Sequence, residues 1–436
     1  MARRPASRAS LELRIERIAP TGEGVGVHEG YGVRVAGAFL GERVRARPLA
    51  RPRADRDAPA ALEAVLSPHL ARRPSPCPHA GSVPGRCGGC PLIALDEAAQ
   101  RAQLMDMLQG LGLHVADVVA SPAAFHYRRS AKRVAFAEAD GALALGSWSP
   151  GTHVGASMRG CPVDHPRIAR AFDELEERAR ERGMAPYDEA SGRGELRYAW
   201  AKLDTDHLTL TLITADGDPR ALAEALTEPD AVAHSVQPGR TNAIRGGAPT
   251  LLRGARRGDP LGFLQPNPDL IALAVDELLR EPDGAWLSGE HAWDLYAGAG
   301  AITRRLRERF ARVEACEAYA GSASELGIEA SRAEDFVTAR AELAPPDVVI
   351  ANPPRKGMGE AVCDAIARVR PPRLHIMACG PRGLADDRRW LLARGYREVG
   401  LTAYQSLPQT AHVELVLKLE AGTKGTAASP GPTPHL

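Results

Sequence analysis

Residues 292–300 read Ala-Trp-Asp-Leu-Tyr-Ala-Gly-Ala-Gly, and this stretch decides the fold of the C-terminal part of the chain. An apolar strand runs here directly into a glycine turn, and a helical pattern begins at Ala301. Glycines at such a turn let a ligand approach the backbone, and the N-terminus of the helix favours a phosphate or a carboxylate. A strand, a Gly-x-Gly turn and a helix in this order predict a nucleotide-like cofactor site.

The next strand supports this interpretation. It ends at Glu317, and an acid at the end of the second strand is where a ribose diol would be bound. The motif starts with Asp294 and lacks the third glycine of the dinucleotide fingerprint, and both points favour S-adenosylmethionine over a dinucleotide. The alternative is that Gly298 and Gly300 only form a packing turn.

The rest of the chain divides by its pattern of strands, helices and glycines. Strands and helices alternate from about residue 262 onward, which predicts a doubly wound, mostly parallel sheet. Residues 9–66 contain short strands broken by glycines, including one expected at Gly37–Leu40, and this is typical of a small β-barrel. We expect a connection at residues 239–259. The predicted parts of this α/β protein are a barrel at 1–70, an α+β central domain at 71–261, the doubly wound sheet domain at 262–420 and a disordered tail at 421–436.

The net charge of +1 hides an uneven distribution of charge. Residues 1–90 contain fifteen arginines, no lysine and eight acidic residues, an excess of seven positive charges, so the remainder carries six net negative charges. A basic module on an acidic body indicates a nucleic-acid partner, and an ordinary solvated basic surface is the alternative. Arg43, Arg45 and Arg47 alternate along a predicted strand, so we expect them to share a face that suits a phosphate backbone.

Composition excludes several classes of protein. With 44% hydrophobic and 25% charged residues, the 436-residue chain can bury a full core and is neither disordered nor fibrous. No segment approaches the roughly 20 apolar residues of a membrane span, and the basic start has no apolar region of a secretory signal. We therefore expect a cytoplasmic monomer without a membrane partner. In that compartment the seven cysteines indicate metal binding, catalysis or core packing rather than disulfides.

Three of the cysteines, Cys77, Cys87 and Cys90, lie in a loop rich in proline and glycine. The Gly-Gly pair between the last two permits a tight reversal, so that their thiolates can converge on one ion or cluster. Cys161 shares the Cys-Pro sequence and is the best candidate for a fourth ligand, with His79 as a competitor. Four thiolates suit either structural zinc or an iron–sulfur cluster, and unrelated core cysteines are the alternative.

Two side chains around the predicted sheet could carry covalent chemistry. Cys379 follows the apolar strand at residues 374–378, and sites in open α/β sheets lie at the carboxyl ends of strands. Cys379 is either a nucleophile or a small buried residue. For Cys316 and Cys363 we expect the second of these, a buried position in the core. Glu414 lies on an otherwise apolar strand, where it is either a general base near the thiol or the outward residue of an edge strand.

These residues together resemble the RNA uracil-5-methyltransferase family, in particular its ribosomal-RNA branch with a TRAM domain and an iron–sulfur cluster. The resemblance extends from about Leu11 to Leu419. The segments that carry it besides the sites above are Gly22-Glu-Gly-Val-Gly26 and Leu40-Gly-Glu-Arg-Val44, which are similar to the TRAM pattern, and Phe125-His-Tyr-Arg128, which is similar to the aromatic-basic start of the central domain.

The resemblance implies a fold, an activity and a set of site residues. The fold would be a TRAM or OB-like barrel, a central domain with an iron–sulfur loop, and a class I methyltransferase sheet. The activity would be S-adenosylmethionine-dependent methylation of C5 of a uridine, in 23S ribosomal RNA, through a covalent adduct between a cysteine and C6. Cys379 would be the nucleophile, Glu414 the base, and Phe263 a neighbour of the target base. The cofactor and uracil site would include Gln265, Tyr296, Gly298, Gly300, Glu317 and Asn352. The ligands of a four-iron, four-sulfur (4Fe-4S) cluster would be Cys77, Cys87, Cys90 and Cys161.

The chain departs from the family at several positions. Asn352 stands where the family usually has Asp, Gly380 where it has Asn, and Gln405 where it has an acid. The spacing from Cys77 to Cys87 is longer than usual, and Arg332 lies near where an acid usually meets the adenine, so no residue is assigned to that contact.

Three alternative functions remain open at this point. One is a tRNA uridine-5-methyltransferase, and another is an RNA-binding iron–sulfur protein with reduced activity. In addition, Asn352-Pro-Pro resembles the N-P-P-aromatic motif of amino-methyltransferases, although Arg355 stands in the place of the aromatic residue.

Overall fold

The computed structural model describes residues 9–50, 56–150, 152–239 and 246–422, and the chain divides into two compact units. The first unit consists of Met1–Asp106, Ser121–Asp269 and Leu407–His412, and the second of Met107–Ala120, Leu270–Ser406 and Val413–Leu436. The predicted boundaries at 70 and 261 fall between secondary-structure elements, and the division into three domains stays a prediction. From residue 423 on, the predicted tail lies outside the described residues.

The helices and strands follow one another in an order that groups the short strands at the start and alternates strand with helix at the end. In chain order they are β1 (Leu11–Arg14), β2 (Arg17–Ile18), β3 (Gly24–His28), β4 (Tyr31–Val35), β5 (Arg43–Pro48), β6 (Ala58–Ser67), α1 (Glu97–Gln109), β7 (Val118–Val119), β8 (Ser130–Ala137), β9 (Leu143–Trp148), β10 (Gly155–Ser157), α2 (Pro166–Glu181), β11 (Leu196–Asp204), β12 (His207–Thr214), α3 (Arg220–Ala225), β13 (Ala231–Val236), β14 (Thr250–Arg253), α4 (Pro268–Leu278), β15 (Gly289–Leu295), α5 (Ala301–Arg307), β16 (Phe310–Cys316), α6 (Ala320–Leu326), α7 (Ala333–Thr338), β17 (Val348–Ala351), α8 (Glu360–Val369), β18 (Arg373–Ala378), α9 (Pro381–Ala393), β19 (Tyr396–Tyr404) and β20 (Glu414–Ala421). No helix within the described ranges is both long and apolar enough to cross a membrane.

The first unit begins with a six-stranded sheet in the order β1-β5-β6-β4-β3-β2, in which only β4 and β6 pair in parallel. Alternate residues of its strands point into a small core that includes Leu13, Val35 and Val44. The predicted strand at Gly37–Leu40 is wrong, because this segment is a turn. Gly37 has a φ of 75°, in the left-handed region that an extended strand does not use.

A second sheet of the first unit has seven strands in the order β10-β9-β8-β11-β12-β13-β14. Helix α2 places Ile168, Phe172 and Leu175 in the core that the sheet shares with it, because these residues recur every three or four positions along one helix face. The predicted connection at residues 239–259 contains the edge strand β14, which pairs antiparallel with β13. The expectation of a continuous connection there is therefore wrong.

The second unit is built on a mixed sheet in the order β16-β15-β17-β18-β20-β19-β7. Strands β16, β15, β17 and β18 are mutually parallel, and β20 pairs antiparallel with both of its neighbours. All four residues of β17 are buried, as is typical of a strand covered by helices on both faces. The prediction of a mostly parallel α/β sheet is confirmed, and it means that four strands end at the same edge.

Candidate active site

The glycine turn follows β15 in the second unit and leads into α5, as predicted. Its chain direction depends on three residues with positive φ, namely Tyr296 (62°), Gly298 (54°) and Gly300 (81°). A Cβ on Gly300 would lie 2.1 Å from the side chain of Leu326, so only glycine fits there. Tyr296 is held in a conformation that costs free energy for a non-glycine residue, which is common at functional sites.

Two carboxylates brace this turn. Glu317 accepts hydrogen bonds from the backbone N–H of Gly298 at 2.8 Å and of Tyr319 at 2.6 Å, which ties the end of β16 to the turn. Asp294 is fully buried and accepts a hydrogen bond from the hydroxyl of Thr303 in α5. Burial raises the pKa of Asp294 to about 7. The turn is therefore fixed on both sides before any ligand enters.

Cys379 and Glu414 are brought together by strand pairing. Ala378 at the end of β18 pairs with Leu415 near the start of β20, so the next residues outward, Cys379 and Glu414, are neighbours across the two strands. Because β20 lies between β18 and β19, the interpretation of Glu414 as the outward residue of an edge strand is wrong. Glu414 is only 7% exposed, and this burial raises its pKa to about 7.

The thiol of Cys379 experiences opposing influences. Burial and the nearby Glu414 raise its pKa, whereas the positive charge of the Arg355 guanidinium lowers the pKa. Cys379 is half-buried, whereas Cys316 and Cys363 are fully buried, which confirms the expected difference between them. Arg355 was not among the site residues predicted from the sequence. Its signal was a cation three residues after Asn352, in the loop that follows β17.

Most of the predicted site residues lie at the edge of the second unit's sheet where its parallel strands end. The backbone N–H of Asn352 donates to the carbonyl of Leu295, which places the end of β17 beside the glycine turn. The residues on this edge of the second unit are Tyr296, Gly298, Gly300, Glu317, Asn352, Cys379 and Glu414. Gln265 belongs to the first unit, where both of its chain neighbours line the cavity described next.

Four cysteines of the first unit, Cys77, Cys87, Cys90 and Cys161, line one cavity of about 380 Å³, called here the cysteine cavity. Its lining also includes three cations: Arg128, Lys132 and Arg133. Burial, and after it the charges of Cys161, Cys87 and Cys77, raise the pKa of Cys90 to about 12.

Local packing explains the sequence around these cysteines. A Cβ on Gly88 would lie 2.3 Å from the ring of Pro150, so the reversal between Cys87 and Cys90 requires glycine there. His79 pairs through Nε2 with the carbonyl of Arg159 at 2.9 Å, which ties the loop to the segment before Cys161. In the described part of the chain, no group of three or more His, Cys, Asp or Glu is placed to hold a single metal ion.

The arginines of β5 alternate with buried residues and share an exposed face, as predicted. They are partly neutralised by neighbouring strands, since Arg45 pairs with Glu12 at 3.1 Å and Arg47 with Glu63 at 3.2 Å. Arg43 also approaches Glu12, at 3.5 Å. Three arginines thus face two carboxylates, and the positive excess on this face is smaller than the sequence suggested.

Comparison with known proteins gives no matching family model. The chain is 28% identical to an uncharacterized RNA methyltransferase of Halalkalibacterium halodurans, over 94% of this chain and 96% of that protein. It is 29% identical to a second one from Synechocystis, over the same shares. The structure of a Pyrococcus abyssi tRNA (uracil-54, C5)-methyltransferase in complex with S-adenosyl-L-homocysteine matches with a TM-score of 0.73 and 20% identity, over 94% of this chain and 99% of that one. The chain therefore has the fold of that methyltransferase and is similar, over nearly its whole length, to proteins described as RNA methyltransferases.

Proposed function

We propose that this protein is an S-adenosylmethionine-dependent methyltransferase that methylates C5 of a uridine in RNA. The observation that carries the proposal is the group formed by the thiol of Cys379, the carboxyl of Glu414 and the guanidinium of Arg355 at the edge of the sheet that also holds the glycine turn. The similarity to RNA methyltransferases and to the fold of a uracil C5-methyltransferase supports it.

The chemistry requires a nucleophile and a base because C5 of uracil is itself a poor nucleophile. The thiolate of Cys379 adds to C6, and the electrons of the C5–C6 double bond move into an enolate that makes C5 nucleophilic. S-adenosylmethionine, when bound, supplies the methyl group that C5 takes up. The carboxylate of Glu414 then removes the proton from C5, the double bond re-forms, and the thiolate of Cys379 leaves. Arg355 stabilises the thiolate at the start and the end of this cycle.

We propose that residues at this edge of the sheet bind the cofactor. Glu317, whose two oxygens already accept backbone hydrogen bonds, would bind the ribose hydroxyls. The residues of this edge proposed to line the cofactor and uracil site with it are Tyr296, Gly298, Gly300 and Asn352. A uracil must leave its base stack to reach Cys379, and unpaired RNA loops present such bases most readily.

The RNA proposed is 23S ribosomal RNA. The support is the resemblance of the sequence to the ribosomal branch, through the glycine segments at Gly22–Gly26 and Leu40–Val44 and the cysteine loop. The six-stranded sheet with its exposed arginines would bind the phosphate backbone. Transfer RNA is the second candidate, because the structurally similar Pyrococcus protein acts on it.

The test is transfer of a labelled methyl group from S-adenosylmethionine to RNA from a strain that lacks the gene. We expect 5-methyluridine in ribosomal RNA, located by digestion and mass spectrometry of nucleosides. Label confined to transfer RNA would overturn the choice of substrate. Label on an exocyclic amine would overturn the reaction, and binding of RNA without any label would favour an RNA-binding protein with reduced activity.

We further propose that the cysteine cavity holds a 4Fe-4S cluster. Each thiolate of such a cluster binds a different iron, whereas four thiolates on one zinc at about 2.3 Å would bring the sulfurs to within about 3.8 Å of each other. The lining cations Arg128, Lys132 and Arg133 would balance the negative charge of the thiolates. The cluster would order the loop at residues 77–90 and takes part in no step above.

Cys87→Ser is expected to remove the visible absorbance of protein purified without oxygen, because a cluster held by three thiolates is readily lost. The measurement is the absorption spectrum together with iron and sulfide content. Cys379→Ala is the matched control and should keep both, since Cys379 belongs to the other unit. A colourless wild-type protein with one bound zinc would contradict this proposal and leave the proposed methylation untouched.

A further inference from the structure

The loop at residues 353–359, called here the arginine loop, carries Arg355 and connects β17 to α8. Its backbone is held by a side chain from another helix. Asp387 of α9 accepts a hydrogen bond from the N–H of Met358 at 2.7 Å and another from the N–H of Gly359 at 3.0 Å. The loop that brings the guanidinium to Cys379 is thus anchored by the helix that begins two residues after Cys379.

Asp387 is an unusual residue for a purely structural position. It is 0% exposed and has no ion pair within the described residues, and the thiol of Cys363 lies 3.9 Å from it. Tyr296 also lies near enough that, after burial, the charge of Asp387 raises the pKa of its phenol. A buried carboxylate without a cation is costly, and here two backbone N–H groups are its main compensation. An apolar residue would fill the same space at lower cost. The two hydrogen bonds to the arginine loop are what the carboxylate provides and an apolar residue would not.

Two glycines at the start of α9 allow the backbone of the arginine loop to lie directly against this helix. A Cβ on Gly380 would be 2.0 Å from the carbonyl oxygen of Arg355, and a Cβ on Gly383 would be 2.5 Å from the backbone nitrogen of Gly357. Gly380 has a φ of −114°, which any residue adopts, so the requirement for glycine there is the close approach alone. A side chain at this position would require the arginine loop to move.

We propose that Gly380, Gly383 and Asp387 are positioning residues that seat the arginine loop and thereby hold the Arg355 guanidinium on Cys379 and Glu414. The proposal rests on the proposed function only in taking Cys379 as the nucleophile. The predicted contact, between Arg355 and the thiol, can be measured without RNA or cofactor.

The test is the pH profile of alkylation of Cys379 by iodoacetamide, followed by mass spectrometry of the peptide that contains it. In Asp387→Asn we expect the profile to move to higher pH, because the loop loses its anchor and the thiolate loses its cation. A shift of one pKa unit corresponds to about tenfold slower alkylation at neutral pH. The matched control is Asp386→Asn, since Asp386 is the adjacent residue of α9 but is half-exposed and pairs with Arg389 at 2.9 Å. Its profile should superimpose on that of the wild type.

A double-mutant cycle separates positioning from general loosening of the fold. If Asp387 acts through Arg355, then Asp387→Asn made in an Arg355→Ala background causes no further change in the profile. An equal shift in both backgrounds, or a wild-type profile in Asp387→Asn, would overturn the proposal.

Should Asp387→Asn fail to fold, Gly380→Asn gives the same test, because its side chain must displace Arg355. We expect Cys379 to be alkylated more slowly in Gly380→Asn, although this change introduces the residue that is usual in the resembled family. An unchanged pH profile in this variant would overturn the proposed positioning of the arginine loop. Absence of methyl transfer in the wild type would overturn the proposed function without altering how these profiles are interpreted.

Discussion

Replacement of Cys379 by alanine is expected to lower the rate of methyl transfer to RNA by about 10⁴-fold or more, the scale on which loss of a catalytic nucleophile acts. The reason is that C5 of uracil gains nucleophilic character only through addition at C6, and alanine has no atom that can add. Binding of RNA and of the cofactor should persist, because the glycine turn and Glu317 are unaffected. The measurement is single-turnover transfer of a labelled methyl group, with affinity for RNA determined in parallel.

Cys316→Ala is the matched control for this loss. Cys316 is a buried cysteine of the same unit whose thiol donates to the carbonyl of Ser331 at 3.2 Å. We expect this variant to retain methyl transfer. Full activity in Cys379→Ala would show that the reaction does not pass through a covalent adduct and would overturn the proposed mechanism.

Glu414→Gln is expected to stop the reaction after the methyl group has been transferred. The amide preserves the shape of the side chain but accepts no proton, so the proton stays on C5 and the thiol cannot be eliminated. A covalent complex of protein and methylated RNA should therefore accumulate, and turnover should fall by about 10²- to 10⁴-fold. Denaturing electrophoresis with labelled RNA measures the complex directly. Glu420→Gln, on the same strand but exposed and paired with Arg397 at 2.6 Å, should form no lasting complex.

The pH dependence of turnover should follow from the same group. Because burial raises the pKa of Glu414 to about 7, the carboxyl is protonated below that pH and cannot act as the base. Turnover should fall as the pH drops through about 7, and loss of the Cys379 thiolate acts in the same direction. A covalent complex that fails to accumulate in Glu414→Gln, with turnover still dependent on pH around 7, would assign the base to another residue.

Local sequence was sufficient for the elements that depend on near neighbours. The glycine turn was predictable from residues 292–300, because a strand, two glycines and a helix follow one another without a break. The cysteine loop was predictable from the Gly-Gly pair between Cys87 and Cys90. The error at Gly37–Leu40 has a local cause as well, since a short apolar segment between glycines reads as a strand when its φ angles are unknown.

The sequence by itself therefore determined the α/β character of the chain and the glycine turn, and it predicted the side chains that we propose to react. Only the tertiary structure decided how Cys379, Glu414 and Arg355 meet. Glu414 reaches Cys379 because β20 inserts antiparallel between β18 and β19, and that strand order depends on pairing between distant segments. The loop that carries Arg355 packs against the start of α9 because Gly380 has no Cβ and Asp387 holds the loop. Strand register and close backbone approach are properties of the packed chain, and no local pattern of residues encodes them.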